Sequence, residues 1–442
     1  MKRTLVTSST VLAVAALALT GCSSGGSDPA STGATTACED STDPVTLSLA
    51  AWGLTTSTDF QTLTDAFHTA NPDVTVELTE YDATDYDTQL TADLAAGSAP
   101  DLYPIKTITT FPTYQEGGQL LDVTDVTDAL GDDYPGIDYY TADDAAYAVP
   151  YRQDAWYLYY NKDLFDLAGV DYPDGTWTWD DYDDAAVELT ESLHAAGSQD
   201  VKGTYLHSWA TALQSFATAQ AGSEEEYFAA DWEYMVPFYE EAVALQEAGA
   251  QEDFGTVTTN SLTYQSQFGT QKTAMMPMGS WYIAALLSQR ESGDADVFDW
   301  GIAPAPQIDD STLDHPVTQG NPTAIGVNAA IDDAKVCAAK DFLTYIASEP
   351  AAVALAGIGL RPSLASDAVT DTMFAQDGMP TDEESRTAFG NLTAQPDAPL
   401  SSDTPALQNI LKDAHSAILS GSVSPEDGIA QAMDRARTEV LG

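Results

Sequence analysis

The stretch AVPYRQDAWYLYYNKDLF, residues 148–165, sets Trp156 and four tyrosines around Arg152, Gln153, Asp154 and Asn161. Such a mixture suits a solute with apolar C–H faces and a rim of hydroxyls, which calls for flat aromatic surfaces and a few fixed donors and acceptors. On a strand successive side chains point to opposite faces, so no strand buries all of these rings on one side. One face is expected to meet a cleft, with ordinary packing as the alternative. The chain holds 8 Trp and 21 Tyr, residues whose polar atoms need partners when buried and so favour half-wet positions.

Catalytic signatures are weak by comparison. The histidines, His68, His194, His207, His315 and His415, show neither H-x-H nor H-E-x-x-H spacing, which leaves a catalytic zinc unsupported. Gly21, Ser23 and Gly25 spell G-x-S-x-G, but the nucleophile elbow needs a strand before it and a helix after it, and this segment is small and polar. A glycoside hydrolase needs two carboxylates at a defined separation; among 69 acidic residues such a pair arises by chance. The acidic turn WDDYDD lacks the ligand spacing of a calcium loop. No metal, cofactor or enzymatic activity is expected.

With 15 Lys plus Arg against 69 Asp plus Glu, the formal net charge is −54. Nucleic acid is excluded as a partner, since phosphate binding needs basic patches. Anionic ligands are disfavoured unless a local cation overrides the field, which singles out Lys106, Arg152 and Arg361. Lys106 either reaches the ligand or balances the acidic surface, and Arg361 either hydrogen-bonds hydroxyls with its planar fork or pairs with a carboxylate.

The elements that must position these residues begin after residue 42. Lys2 and Arg3, the run VLAVAALAL and then LTGC read as an export signal ending in a lipobox. The mature chain is expected to start at a lipid-bearing Cys22, followed by a flexible leash rich in Ser and Gly. Cys38 and Cys337 are read as bridged, with two separate thiols as the alternative. From Val45, alternating apolar residues give way to Phe60, Leu63 and Phe67 at helical spacing, then VTVEL alternates again, then Tyr86, Leu90 and Leu94 share a helix face before Gly97. Strand, helix, strand, helix predicts an α/β domain with a mostly parallel sheet. Ligands gather beyond the carboxyl ends of such strands, where Trp52 and Tyr81 fall. Helices are expected at 179–197, 208–220, 233–249 and 335–348, and strands at TAMMPM and AIGVN.

The chain resembles the extracellular solute-binding proteins of bacterial ABC importers, in their sugar-binding branch. The resemblance rests on an ordered set: AFHTANPDVTVEL, LTADLAAGSAPDLY, GGQLLDVTD, AAYAVPYRQDAWYLYYNKDLFDLAGV, TWTWDDY, QKTAMMPMGSW, WGIAPAPQ, GNPTAIGVN, AAKDFLTYIASEPAAVALAGIGLRPS and GSVSPEDGIAQAM. It implies two α/β lobes, each a mostly parallel sheet flanked by helices, with the ligand cleft between them. The expected division is a signal peptide at 1–21, a leash at 22–42, the first lobe at 43–150 and the second at 151–300. Residues 301–347 should return to the first lobe and 348–442 form C-terminal helices of the second. By position in the family pattern, Val149-Pro150 ends a strand, Tyr151 to Asp154 turn, and Asn161 fixes the crossing between lobes. Gln153, Asp154 and Trp156 become expected ligand contacts, together with Trp52, Tyr81, Lys106, Trp209, Trp281, Asn321 and Arg361. The implied partners are a sugar, the membrane permease subunits of an importer with a cytoplasmic ATPase, and the outer face of the membrane through Cys22, with the protein a monomer. Another polar solute such as a glycerol phosphate, a secreted hydrolase and a surface adhesin are the alternatives.

Overall fold

Val45, Leu47 and Leu49 alternate with polar residues and form the strand β1 (Val45–Trp52), with Leu47, Leu49 and Ala51 buried on one face and Ala50 on the other. Both faces of its sheet are therefore covered, as parallel sheets require. The computed structural model describes residues 44–54, 58–131 and 134–442. The expected signal peptide, Cys22, the leash and Cys38 lie outside the described residues. Cys337 is disulfide-bonded. No helix among the described residues is long and apolar enough to cross a membrane.

The remaining strands are β2 (Val74–Tyr81), β3 (Leu102–Ile105), β4 (Thr141–Ala142), β5 (Ala145–Ala146), β6 (Ala148–Gln153), β7 (Trp156–Asn161), β8 (Lys202–Thr204), β9 (Thr273–Gly279), β10 (Trp300–Pro304), β11 (Val317–Gln319), β12 (Pro322–Val327) and β13 (Thr393–Gln395). The first lobe is built on a sheet ordered β2-β1-β3-β12-β6 and the second on β10-β7-β9-β8. In the first, β12 runs against its neighbours β3 and β6; in the second, β7 runs against β10 and β9. All other strands of each sheet run one way, so both sheets are mixed, each with an antiparallel pairing on either side of one reversed strand. Two-stranded pairings join β4 to β5 and β11 to β13.

Helix Asp59–Ala70 buries Phe60, Leu63 and Phe67 against the first sheet and ends at Asn71. Helix Val336–Ile346 adds Phe342, Leu343 and Ile346 to the same core, and helix Glu349–Ala356 adds Ala351 and Leu355. The second core takes its helices from 162–292 and from 364 onward. Two expected boundaries move as a result. Residues 301–304 still belong to the second sheet, because β10 pairs with β7, and helix Glu349–Ala356 packs on both cores, with Ala351 and Leu355 in the first and Ala352 and Ala356 in the second. The apolar spacing of EPAAVALA shows a buried face without saying which core buries it.

The acidic run WDDYDD starts helix Trp179–Ala195 with a capping box: Thr178 Oγ1 accepts from the Asp181 N–H, and the Asp181 carboxylate accepts from the Thr178 N–H. Asp181 is thereby committed to a free backbone donor at the helix start. One turn on, Asp183 and Glu241 of helix Val236–Glu247 line one small crevice. Burial, then Asp180 and Asp184, push the Asp183 carboxyl up to about 7; burial, then Asp183, Asp180 and Glu240, push Glu241 up to about 7. An acid raised in the folded state keeps its proton longer than in the unfolded chain, so stability falls as pH climbs from the ordinary carboxylate range toward 7. The melting temperature is expected to drop between pH 5 and pH 8, and the double variant Asp183→Asn/Glu241→Gln to flatten part of that drop. An unaltered pH slope in the double variant would assign the dependence to other carboxylates.

Candidate functional site

The two lobes meet where β6 hands over to β7. Tyr151 to Gln153, expected as a turn, continue β6, and the handover falls at Asp154-Ala155. The Asp154 N–H donates to the Asn321 carbonyl at 3.1 Å, and Gln153 Nε2 donates to the carbonyls of Asp154 and Gly320 at 3.0 and 3.1 Å. Arg361 Nη1 donates to the Gln153 carbonyl at 3.1 Å. Three strands of chain, near 154, 320 and 361, are thus laced side by side. Gln153, Asn321 and Arg361, expected on the ligand, spend these polar groups on the crossing. Asp154 is 8% exposed, its Oδ1 accepting from Ser280 Oγ at 3.1 Å and its Oδ2 from Arg152 Nη2 at 3.0 Å. Asn161 is structural in another way: its side chain caps helix Lys162–Ala168 by accepting from the Leu164 N–H, at the far end of β7 from the crossing.

Close approach at the crossing depends on Gly320. A Cβ there would lie 2.0 Å from the Asp154 carbonyl oxygen and 2.9 Å from Ala155 Cα. Gly320→Ala should therefore destabilise by about 1–3 kcal/mol, the usual cost of overpacking, as a lowered urea midpoint; an unmoved midpoint would mean that the crossing yields freely.

Beside the crossing, three tryptophans run from core to surface. Trp156 is 4% exposed and stands edge-on to Phe216 and Trp281, at centroid distances of 5.8 and 5.7 Å. Its ring is buried, because β7 lies inside the sheet and both its faces are covered. Trp281 is half-buried and lies 6.3 Å from Trp209. Its ring passes over Gly279, where a Cβ would come within 2.1 Å of it. Trp209 is 40% exposed and braced edge-on by His207 at 4.3 Å and by a tilted Tyr264 ring at 5.8 Å. Burial pushes the His207 imidazole down to about 4, so that brace is neutral at pH 7.

Trp209 lines a pocket of about 630 Å³, and of the expected contacts it alone does so. The first lobe contributes Thr107, Thr109 and Thr110, beyond the carboxyl end of β3. The second contributes Gln214 and Thr218 from helix Thr211–Ala221, with Tyr227, Asp397 and Lys412. Gln214 is held by donating to Tyr239 Oη at 2.7 Å and to the Leu411 carbonyl at 2.8 Å. Asp397 is tied to the crossing, its N–H donating to Asn321 Oδ1 at 3.0 Å. Burial raises its carboxyl above the usual range against hydrogen bonds from Asn321 and Ala398. Asp397 Oδ1 and Tyr227 Oη have no hydrogen-bond partner among the described residues. Such groups cost free energy when buried unpaired.

A third cluster sits at the carboxyl ends of β1, β2 and β3. Trp52 and Tyr81 are register partners there. Trp52 stands edge-on to Phe60 and Tyr86, both at 4.9 Å, with Lys106 Nζ 5.3 Å from its ring. Lys106 also donates to the Ala83 carbonyl. Tyr81 is 8% exposed and its hydroxyl donates to Asp93 at 2.7 Å. None of the three lines the Trp209 pocket.

The pocket-lining residues Thr107, Thr109, Gln214, Tyr227 and Asp397 were not expected from sequence. Two signals were present: the TITT run follows strand β3 one residue on, the usual place for ligand contacts, and Asp397 stands in QPDAP, held in a loop between two prolines.

Residues 53–353 match the family model described as bacterial extracellular solute-binding protein. An arabinooligosaccharide-binding protein from Halalkalibacterium halodurans is 36% identical over 102 residues, which cover 22% of this chain and 22% of that relative's length. Among solved structures, a sugar transporter from Rhizobium etli in an open conformation is 26% identical, with a TM-score of 0.76 over 89% of this chain and 99% of that one. An ABC substrate-binding protein from Listeria monocytogenes in complex with cycloalternan is 21% identical and shares the fold, with a TM-score of 0.73 over 90% of this chain and 99% of that one. Two mixed, helix-flanked sheets and a family match over residues 53–353 lead to one assignment: this chain belongs to the bacterial extracellular solute-binding proteins.

Proposed function

We propose that the protein captures a sugar or oligosaccharide outside the cytoplasmic membrane and delivers it to the permease subunits of an ABC importer, without catalysing a reaction. The carrying observation is the exposed Trp209 ring, backed by Trp281 and Trp156, at a pocket to which both lobes contribute. An aromatic face with hydroxyl and carboxylate groups across from it matches the apolar face and hydroxyl rim of a sugar ring. The hinge consists of the crossings near 154, 320 and 361, and closure is driven by the extra contacts that the solute makes in the closed form. The lobes we assign accordingly are 44–153 with 322–360, and 156–304 with 364–442. A diacylglycerol on Cys22 tethers the monomeric protein to the outer face of the membrane. The relatives named for sugars support this reading, as does the anionic surface, which disfavours the glycerol phosphate alternative.

The test is a thermal-shift screen of the mature protein against monosaccharides, oligosaccharides, polyols and sugar phosphates. A ligand that binds only the folded state raises the melting temperature with its concentration. A rise with sugars and no released product on standing is expected. A rise confined to sugar phosphates would move the solute class, and cleavage of the sugar would restore the hydrolase.

A further inference from the structure

We propose that Tyr239 and His415, which lie behind the pocket wall and do not line it, are positioning residues for capture: through a buried chain of hydrogen bonds they fix the Gln214 amide so that it presents its carbonyl oxygen to the solute. This rests on the sugar-capture reading and adds to it the groups that orient one contact. The chain ties three helices together. Gln214 stands on helix Thr211–Ala221, Tyr239 on helix Val236–Glu247, and Leu411 and His415 on helix Thr404–Leu419. All four side chains are buried.

The direction of each bond follows from what its two ends can do. The Leu411 carbonyl can only accept, so the Gln214 atom 2.8 Å from it is the amide nitrogen. The same nitrogen lies 2.7 Å from Tyr239 Oη, and both its hydrogens are thereby spent. What the side chain has left for the pocket it lines is Oε1. Tyr239 Oη, accepting from Gln214, turns its own hydrogen to His415 Nδ1 at 3.0 Å. Nδ1 is then the bare nitrogen of that ring and Nε2 the protonated one. Burial pushes the His415 imidazole down to about 4, so the ring is neutral at pH 7 and Nδ1 is free to accept. The histidine that braces Trp209 takes the opposite form. Tyr205 Oη donates to the Leu262 carbonyl at 3.0 Å, which leaves His207 Nδ1, 2.9 Å from that hydroxyl, to donate to it.

Packing alone does not call for the chain. Apolar side chains of similar size at 214, 239 and 415 would fill the same space, and the present set leaves His415 Nε2 without a hydrogen bond among the described residues. A partly satisfied polar network is worse for a core than an apolar one. The chain begins at that unpartnered nitrogen inside the protein and comes out at a single place, the pocket wall at Gln214. Its product is the setting of one amide.

Two measurements test the proposal, one on the chain and one on its effect. In the mature protein carrying heavy-nitrogen-labelled histidine, long-range proton–nitrogen spectra at pH 7 should show His415 as the Nε2–H tautomer and His207 as the Nδ1–H tautomer. The His415 signal is the one lost in Tyr239→Phe/His415→Leu. An Nδ1–H tautomer at His415 would reverse the chain and overturn the proposal, whatever the solute. Binding is read by calorimetric titration with arabinose, arabinotriose, glucose and maltotriose. For a probe that binds, Tyr239→Phe should raise the dissociation constant about threefold to tenfold, the worth of one hydrogen bond, and lower the urea midpoint by stranding His415 Nδ1. Tyr239→Phe/His415→Leu replaces both partners with apolar groups, so the midpoint should recover while the dissociation constant stays raised. A dissociation constant that recovers with the midpoint, or that never moves, would make the chain a structural feature only and leave sugar capture standing. Heat from none of the four probes, with a response to another solute class in the thermal screen, would overturn the sugar-capture reading and this proposal with it.

Discussion

Arg152→Leu is expected to lower the unfolding free energy by about 3–5 kcal/mol, the cost of breaking a buried ion pair by removing one partner. Its guanidinium lies 3.0 Å from Asp154 Oδ2 and 3.6 Å from Asp59 Oδ2, and the three side chains are 14%, 11% and 2% exposed. Burial works against its charge, but Asp154, Tyr151 and Asp59 outweigh that and hold the group more firmly protonated than usual. Leucine would leave both carboxylates out of water without the guanidinium, with Tyr151 still donating to Asp59 and Ser280 to Asp154. Urea unfolding measures the loss, and Arg152→Leu/Asp154→Asn should recover part of it by removing one stranded charge. A loss below about 1 kcal/mol would place the pair with solvated surface bridges.

Trp209→Ala should raise the dissociation constant of the bound sugar by roughly 30-fold, equivalent to about 2 kcal/mol for an aromatic anchor, with an unchanged urea midpoint. The ring is 40% exposed, so folding gains little from it. Trp281→Ala should weaken binding too, by removing the ring that backs Trp209, and should also cost some stability because Trp281 packs on Trp156. An unaltered dissociation constant in both variants would take the tryptophans out of the site.

The fold was legible in the chain because its strands and helices carry clean periods. Phe60, Leu63 and Phe67 mark a helix, and TAMMPM and AIGVN mark central strands, each confirmed as such. The sites of crossing were less legible, since PAAVALA and WGIAP are apolar throughout, and the first packs on both cores. The candidate site was legible in kind but not in position. Trp156 and Trp209 look alike in sequence; what separates them is that β7 is covered on both faces while Trp209 precedes a helix at the surface. Gln153, Asn321 and Arg361 carry the right polar groups, yet backbone groups of distant segments pair with them, while the Asp154 carboxylate accepts from the side chains of Arg152 and Ser280. Asp397 escaped notice for the converse reason: in a chain with 69 acidic residues, one more carboxylate draws attention only when its surroundings are seen.

The reversed strand β12 also governs how the first lobe is assembled during synthesis. It lies between β3 and β6, yet β6 ends at Gln153 and β12 begins at Pro322. At 5–20 residues per second the ribosome needs roughly ten to thirty seconds to bridge that gap. Throughout that interval β3 and β6 have no shared neighbour, and the core on helix Val336–Ile346 is incomplete. Contacts this distant along the chain also slow folding after release. The nascent protein therefore remains without its first hydrophobic core for most of its synthesis, a state in which a translocation channel can still thread it as an extended chain.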